Sequence, residues 1–104
     1  MFALVVRLKA RKGKEKELEQ MMREMTEKVR KNEKDTLMYD LHRKIGDSTD
    51  ILLYERYTDK NAWEVTHCST PYFKALIDAF PQYIEGEPEI TECEVIEILQ
   101  GTVD

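Results

Sequence analysis

Two cysteines, three prolines and four glycines in 104 residues leave no material for a disulfide scaffold, a collagen-like repeat or a linker. Cys68 and Cys93 stand in no paired-cysteine spacing and are expected as reduced thiols of a cytoplasmic protein. A long apolar run is also missing. The opening run Phe2 to Val6 is broken by Arg7, Lys9, Arg11 and Lys12, too short for a signal-peptide core and far too short to cross a bilayer. Positive charge is in deficit: 16 basic against 21 acidic residues give a net charge of -5, the wrong sign for phosphate backbones or anionic lipid, so neither nucleic acid nor membrane is an expected partner. What remains is 41% apolar and 36% charged, the composition of one folded domain over residues 1–104 with a real core.

Gly13, Gly46, Gly86 and Gly101 punctuate the apolar stretches. Phe2 to Ala10 carries apolar residues on both parities, which predicts a strand covered on both faces. From Lys14 to about Lys31, Leu18, Met22, Met25 and Val29 recur at spacings of four, three and four, an amphipathic helix with acidic residues at its start and basic ones at its end. Alternation from Leu37 to Ile45, turn chemistry at Gly46, Asp47, Ser48 and Asp50, and a second run from Ile51 to Thr58 predict a strand, a hairpin and a strand. Asp59 caps a short helix through Ala62 and Val65. Thr70 with Pro71 starts another, whose stripe is Phe73, Leu76, Ile77 and Phe80 and which Pro81 and Gly86 close. A last strand is expected from about Ile90 to Leu99.

Strand, helix, strand, strand, helix, strand is the α+β split βαβ order of ferredoxin-like folds: a four-stranded antiparallel sheet with its helices on one face. The other face would then be bare, although Ala3, Val5 and the run Ile51 to Tyr54 offer apolar side chains to both. A second copy packed sheet to sheet would cover it, so a homodimer is expected, with a ligand cavity between each sheet and its own helices.

The stretch Leu53, Tyr54, Glu55, Arg56, Tyr57, then Asp59, Ala62 and His67, then Thr70, Pro71, Tyr72, Phe73 and Lys74 resembles the antibiotic biosynthesis monooxygenase (ABM) domain family. The resemblance implies a dimeric α/β barrel. It also implies one of three kinds of relative: quinol-type monooxygenases that use no cofactor, enzymes of a phosphorylated signalling metabolite, or haem-degrading proteins. The haem-degrading branch does not fit, since Val6, His67 and Ile77 stand where it carries Asn, Trp and His. Two departures are visible. Asp35 replaces a common Gly, and one additional residue lies between Asp59 and His67, which would rotate His67 by about 100 degrees on a regular helix unless a bulge absorbs it.

Only His42 and His67 titrate near neutrality without perturbation, and the resemblance points the helix bearing His67 at the cavity. His67 is the candidate base, against the alternative of a helix-terminal histidine bonded to a carbonyl. Glu55, on a strand face between Leu53 and Tyr57, is the second candidate: it would orient His67 or bind a substrate hydroxyl, against a cross-strand ion pair with Arg43 or Arg7. Tyr39, Tyr57, Trp63, Tyr72 and Phe73 are candidates to wall a pocket for a planar ring, although aromatics at such spacings often only fill a core. Cys68 beside His67 is weak as a nucleophile. A His42, His67 and Glu55 iron site has no supporting spacing, so no metal, flavin or haem is expected.

These readings converge on a cofactor-independent monooxygenase of a small electron-rich phenol or quinol. The alternatives are a non-catalytic ligand-binding or stress-associated dimer and an isomerase of a small phosphorylated metabolite. An RNA-binding module shares the strand order but needs a basic, aromatic sheet that this chain lacks.

Overall fold

The computed structural model describes residues 1–103. Strands β1 (Phe2–Lys9), β2 (Thr36–Lys44), β3 (Asp47–Tyr57) and β4 (Glu89–Glu94) form one sheet in the order β2-β3-β1-β4, and every pairing is antiparallel. Helix α1 (Glu15–Asn32) follows β1. A π-helical segment (Ala62–His67) and α2 (Pro71–Tyr83) follow β3. This is the ferredoxin-like α+β arrangement.

The core lies between the helices and one face of the sheet. Leu4, Val6 and Leu8 alternate inward from β1 and Ile51, Leu53 and Tyr57 from β3; α1 meets them with Leu18, Met22, Met25 and Val29, the stripe that its sequence spacing predicts. α2 adds Leu76 and Phe80. The opposite sheet face carries no helix. Val5 and Tyr54, cross-strand partners on that face, are 38% and 39% exposed.

Three boundaries differ from expectation. The hairpin is a two-residue turn at Ile45 and Gly46, the glycine at φ 91°, so β3 begins at Asp47. Asp47 still acts as a turn residue, its Oδ1 accepting from Thr49 N, but within the ladder. α2 runs through Pro81 to Tyr83, since one missing donor near a C-terminus does not stop a helix whose Leu76 and Phe80 are already packed. β4 ends at Glu94 because its partner strand ends there: Phe2 is the last residue of β1 opposite it. Beyond it Ile96 and Leu99 stand exposed. Asp35 keeps a negative φ, and its carbonyl accepts from Thr58 N.

α2 starts on Thr70, whose Oγ1 accepts from Phe73 N at 3.2 Å, with Pro71 in the first turn. Thr70→Ala is expected to lower stability by about 1 kcal/mol, read as a lower urea midpoint at unchanged slope. An unchanged midpoint would show that Pro71 alone sets the start.

Candidate active site

Between the helices and the sheet lies a cavity of about 60 Å³, inside a recess of about 470 Å³ that opens to solvent. Leu4, Val6 and Leu8 of β1, Leu53 of β3, and Leu76 and Phe80 of α2 make most of the wall; Ile77 and Ile90, partly exposed, form its rim. The polar groups on this apolar wall are few: Tyr39, Glu55, Trp63 and His67. Phe73 completes the aromatic lining.

His67 reaches the cavity through the π-helix. Cys68 N–H donates to Trp63 O, five residues back, at 3.0 Å, the bond of a widened turn. That turn takes up the additional residue before His67, and the imidazole faces inward, 1% exposed. Asp59 caps the segment, its Oδ1 accepting from Ala62 N at 2.8 Å. The rings of Phe73, Tyr39 and Tyr57 stand 5.2, 5.6 and 5.7 Å from the imidazole, and Trp63 stacks on Phe2.

The partner of His67 is Glu33, at the C-terminal cap of α1. His67 Nδ1 lies 2.7 Å from Glu33 Oε1. Thr36 Oγ1 donates to the same oxygen at 2.8 Å, and the Tyr72 hydroxyl donates to Oε2. Burial alone would raise the Glu33 carboxyl, but hydrogen bonds from His67, Tyr72 and Thr36 outweigh it and hold the group below its ordinary value. Burial and donation to Glu33 push the Tyr72 hydroxyl up to about 12.

Glu55 takes the opposite course. It is 4% exposed, it lines the cavity, and its protein partner is the Tyr57 hydroxyl, which donates to Oε1. Burial raises its pKa despite that bond, which shifts the group toward its neutral form. The fold therefore loses stability from this group as pH rises from the ordinary glutamate value through the raised one. Glu55→Gln keeps the acceptor for Tyr57 and removes the titration; it is expected to flatten the decline of melting temperature above about pH 4.5 and to leave the variant more stable than the parent at pH 7. Equal slopes for both proteins would show that Glu55 does not set this decline.

Of the residues singled out in the sequence, His67, Glu55, Tyr39, Trp63 and Phe73 line one cavity, and Tyr57 and Tyr72 do not. Tyr57 is fully buried behind Glu55, and Tyr72 lies outside, against Glu33. Glu55 neither orients His67 nor pairs with an arginine: Arg43 binds Glu19, and Arg7 binds Asp50 and Glu89 on the open face. His42 is also on the open face, against Tyr54 at 4.4 Å, so no His42, His67 and Glu55 set assembles. Among the described residues, no three His, Cys, Asp or Glu side chains are grouped as metal ligands. Burial and the nearby carboxylates of Glu55 and Glu33 push Cys68 up to about 11, which leaves it a thiol at neutral pH. Glu33 is the functional residue that sequence reasoning missed. Its signal was a carboxylate at the end of α1 where the dipole favours cations, among Lys28, Arg30, Lys31 and Lys34.

The geometry has counterparts in solved structures. A Caulobacter crescentus protein described as a candidate antibiotic biosynthesis monooxygenase is 29% identical, over 92% of this chain and 90% of that one, with a TM-score of 0.85. A Pseudomonas aeruginosa protein (24% identity, 92% and 94% coverage, TM-score 0.83) shares the fold. So does a Deinococcus radiodurans protein of the same description as the first (21%, 98% and 99%, 0.84). No curated protein matches the chain. The family model for antibiotic biosynthesis monooxygenases matches residues 1–79, the span that carries β1, α1, the hairpin, the π-helix and most of α2. With three quarters of its length under that model and Glu55, His67, Thr70 and Pro71 in place, the chain belongs to the antibiotic biosynthesis monooxygenase family.

Proposed function

We propose that the protein is a homodimeric monooxygenase of a small electron-rich phenol or quinol, with His67 as its base. One observation carries this reading: a buried histidine holds a carboxylate with one ring nitrogen and lines an apolar cavity walled by Tyr39, Trp63 and Phe73. His67 takes the phenolic proton, and the phenolate passes one electron to dioxygen. Recombination of the resulting radical with superoxide forms a C–O bond. Loss of the ring hydrogen with cleavage of the O–O bond then leaves one oxygen as a quinone carbonyl and releases the other as water. The electrons come from the substrate, so the scheme needs no flavin or metal. Glu55, whose pKa burial raises, donates to a substrate oxygen when protonated. The apolar wall keeps water from the radical pair.

An isomerase of a phosphorylated metabolite fits this cavity less well, because among the described residues no Lys or Arg lines it. The test is an oxygen-uptake screen against dihydroxyarenes in the presence of a chelator, with product analysis. Stoichiometric quinone and dioxygen loss supports the assignment. Saturable binding of the same compounds without turnover would replace it with the non-catalytic ligand-binding dimer.

The dimer rests on the open face. Val5, Leu52 and Tyr54 lie there beside the ion pairs of Arg7 and Lys9, and Arg56 Nε, from the same face, is buried without a hydrogen-bond partner among the described residues. A second copy laid sheet to sheet would cover these apolar groups.

A further inference from the structure

We propose that Glu33 is the positioning residue of this site: it fixes the proton of neutral His67 on Nδ1, so that Nε2 presents a lone pair to the cavity. The inference deepens the monooxygenase reading and rests on it for its kinetic consequence, although not for its structural one. Three donors converge on the two oxygens of Glu33. Oε1 takes Thr36 Oγ1 at 2.8 Å and faces His67 Nδ1 at 2.7 Å, and Oε2 takes the Tyr72 hydroxyl. All three contacts are satisfied together when the carboxylate is ionised, which makes it an acceptor only, and His67 Nδ1 must then carry the hydrogen.

The ring has no freedom to present the other nitrogen. It is packed among Phe73, Tyr39 and Tyr57, and Glu33 is itself held on both oxygens from β2 and α2. No other hydrogen bond joins a side chain to the imidazole among the described residues, and Glu55, the second carboxylate nearby, is occupied by Tyr57. A histidine side chain in water favours the opposite tautomer, with hydrogen on Nε2, and an Nε2 that carries hydrogen cannot accept a proton from substrate. Glu33 therefore determines whether the base is competent, without touching the substrate.

The experiment is nitrogen-15 NMR of the full chain labelled at histidine, recorded at alkaline pH where the imidazoles are neutral, with His42→Gln identifying the second set of signals. The expected result is a protonated Nδ1 and an unprotonated Nε2 at His67. Glu33→Gln retains this pattern because its amide oxygen still accepts, and Glu33→Leu moves the hydrogen to Nε2. A wild-type signal with hydrogen on Nε2 overturns the assignment whether or not either variant folds. So does an unchanged tautomer in folded Glu33→Leu. With a substrate that the oxygen screen identifies, Glu33→Leu is expected to lower kcat by roughly 10²-fold or more with little change in KM; a loss confined to KM overturns the positioning role. Absence of turnover in the wild type would overturn the monooxygenase reading and leave the tautomer to the spectrum, which needs no substrate.

Discussion

His67→Ala is expected to reduce oxygen consumption with a responding dihydroxyarene by roughly 10²- to 10⁴-fold, about 3 to 5.5 kcal/mol of barrier. Electron transfer to dioxygen needs the phenolate, and at neutral pH a phenol is almost wholly protonated. Burial raises the two other titratable groups of the described cavity wall, the Glu55 carboxyl above its ordinary value and the Tyr39 hydroxyl well above its own, which shifts each toward its protonated form. The deficit should shrink as pH approaches the pKa of the substrate, because the solution then supplies the phenolate. Added imidazole should restore part of the rate, since the substitution leaves a void where the ring stood. Measured across pH by oxygen electrode, a rate within about threefold of wild type at pH 7 would remove His67 from the role of base. Packing alone cannot mimic the expected pattern, because a lost contact has no reason to recover with substrate ionisation.

Tyr54→Asp is expected to convert the proposed dimer to a monomer, with association weakened by about 10³-fold, near 4 kcal/mol. Tyr54 pairs with Val5 across β3 and β1 and with Asp40 of β2, in the middle of the open face. A sheet-to-sheet contact would bury it, and an aspartate there would place charge beside Asp40 and against its own symmetry mate. Among the described residues the exposed ring has His42 as its one aromatic neighbour, so the monomer should fold without it. Sedimentation at micromolar concentration decides the matter. A wild-type protein already monomeric at 12 kDa removes the dimer from the proposal. A variant that stays dimeric places the interface elsewhere.

The elements that could be read from sequence are those whose pattern is local. The stripe of α1 lies on a helix of five turns without a breaker, and Thr70 followed by Pro71 marks the start of α2 by covalent geometry alone. The end of β4 could not be read this way: Val95 to Leu99 is as apolar as a strand, and what stops the ladder is the length of β1 on the neighbouring strand. The same division runs through the site. His67 could be singled out as one of two histidines, and Glu55 as a carboxylate on an apolar strand face. The partner of His67 is a tertiary matter. Glu33 lies 34 residues before His67 and comes beside it only because α1 ends over the π-helix. The contrast between Glu33 and Glu55, one held below the ordinary carboxyl value beside the imidazole and the other raised above it behind a tyrosine, depends on burial and on three hydroxyl directions that no spacing encodes.

The widened turn between Asp59 and Thr70 also bears on how such a chain can change over generations. A codon gained within a strand reverses the facing of every residue after it, so β3 would turn Glu55 and Tyr57 to the open side and strand Arg56 in the core. Within the Ala62–His67 segment the same event is confined between two fixed caps and spent on one looser turn. Lineages can thus lengthen or shorten this helix by a residue and keep the histidine, while the side chains between the caps, Trp63 on the cavity wall among them, shift their angles. The π-helix is where a scaffold of this shape can vary its pocket by insertion without displacing the histidine.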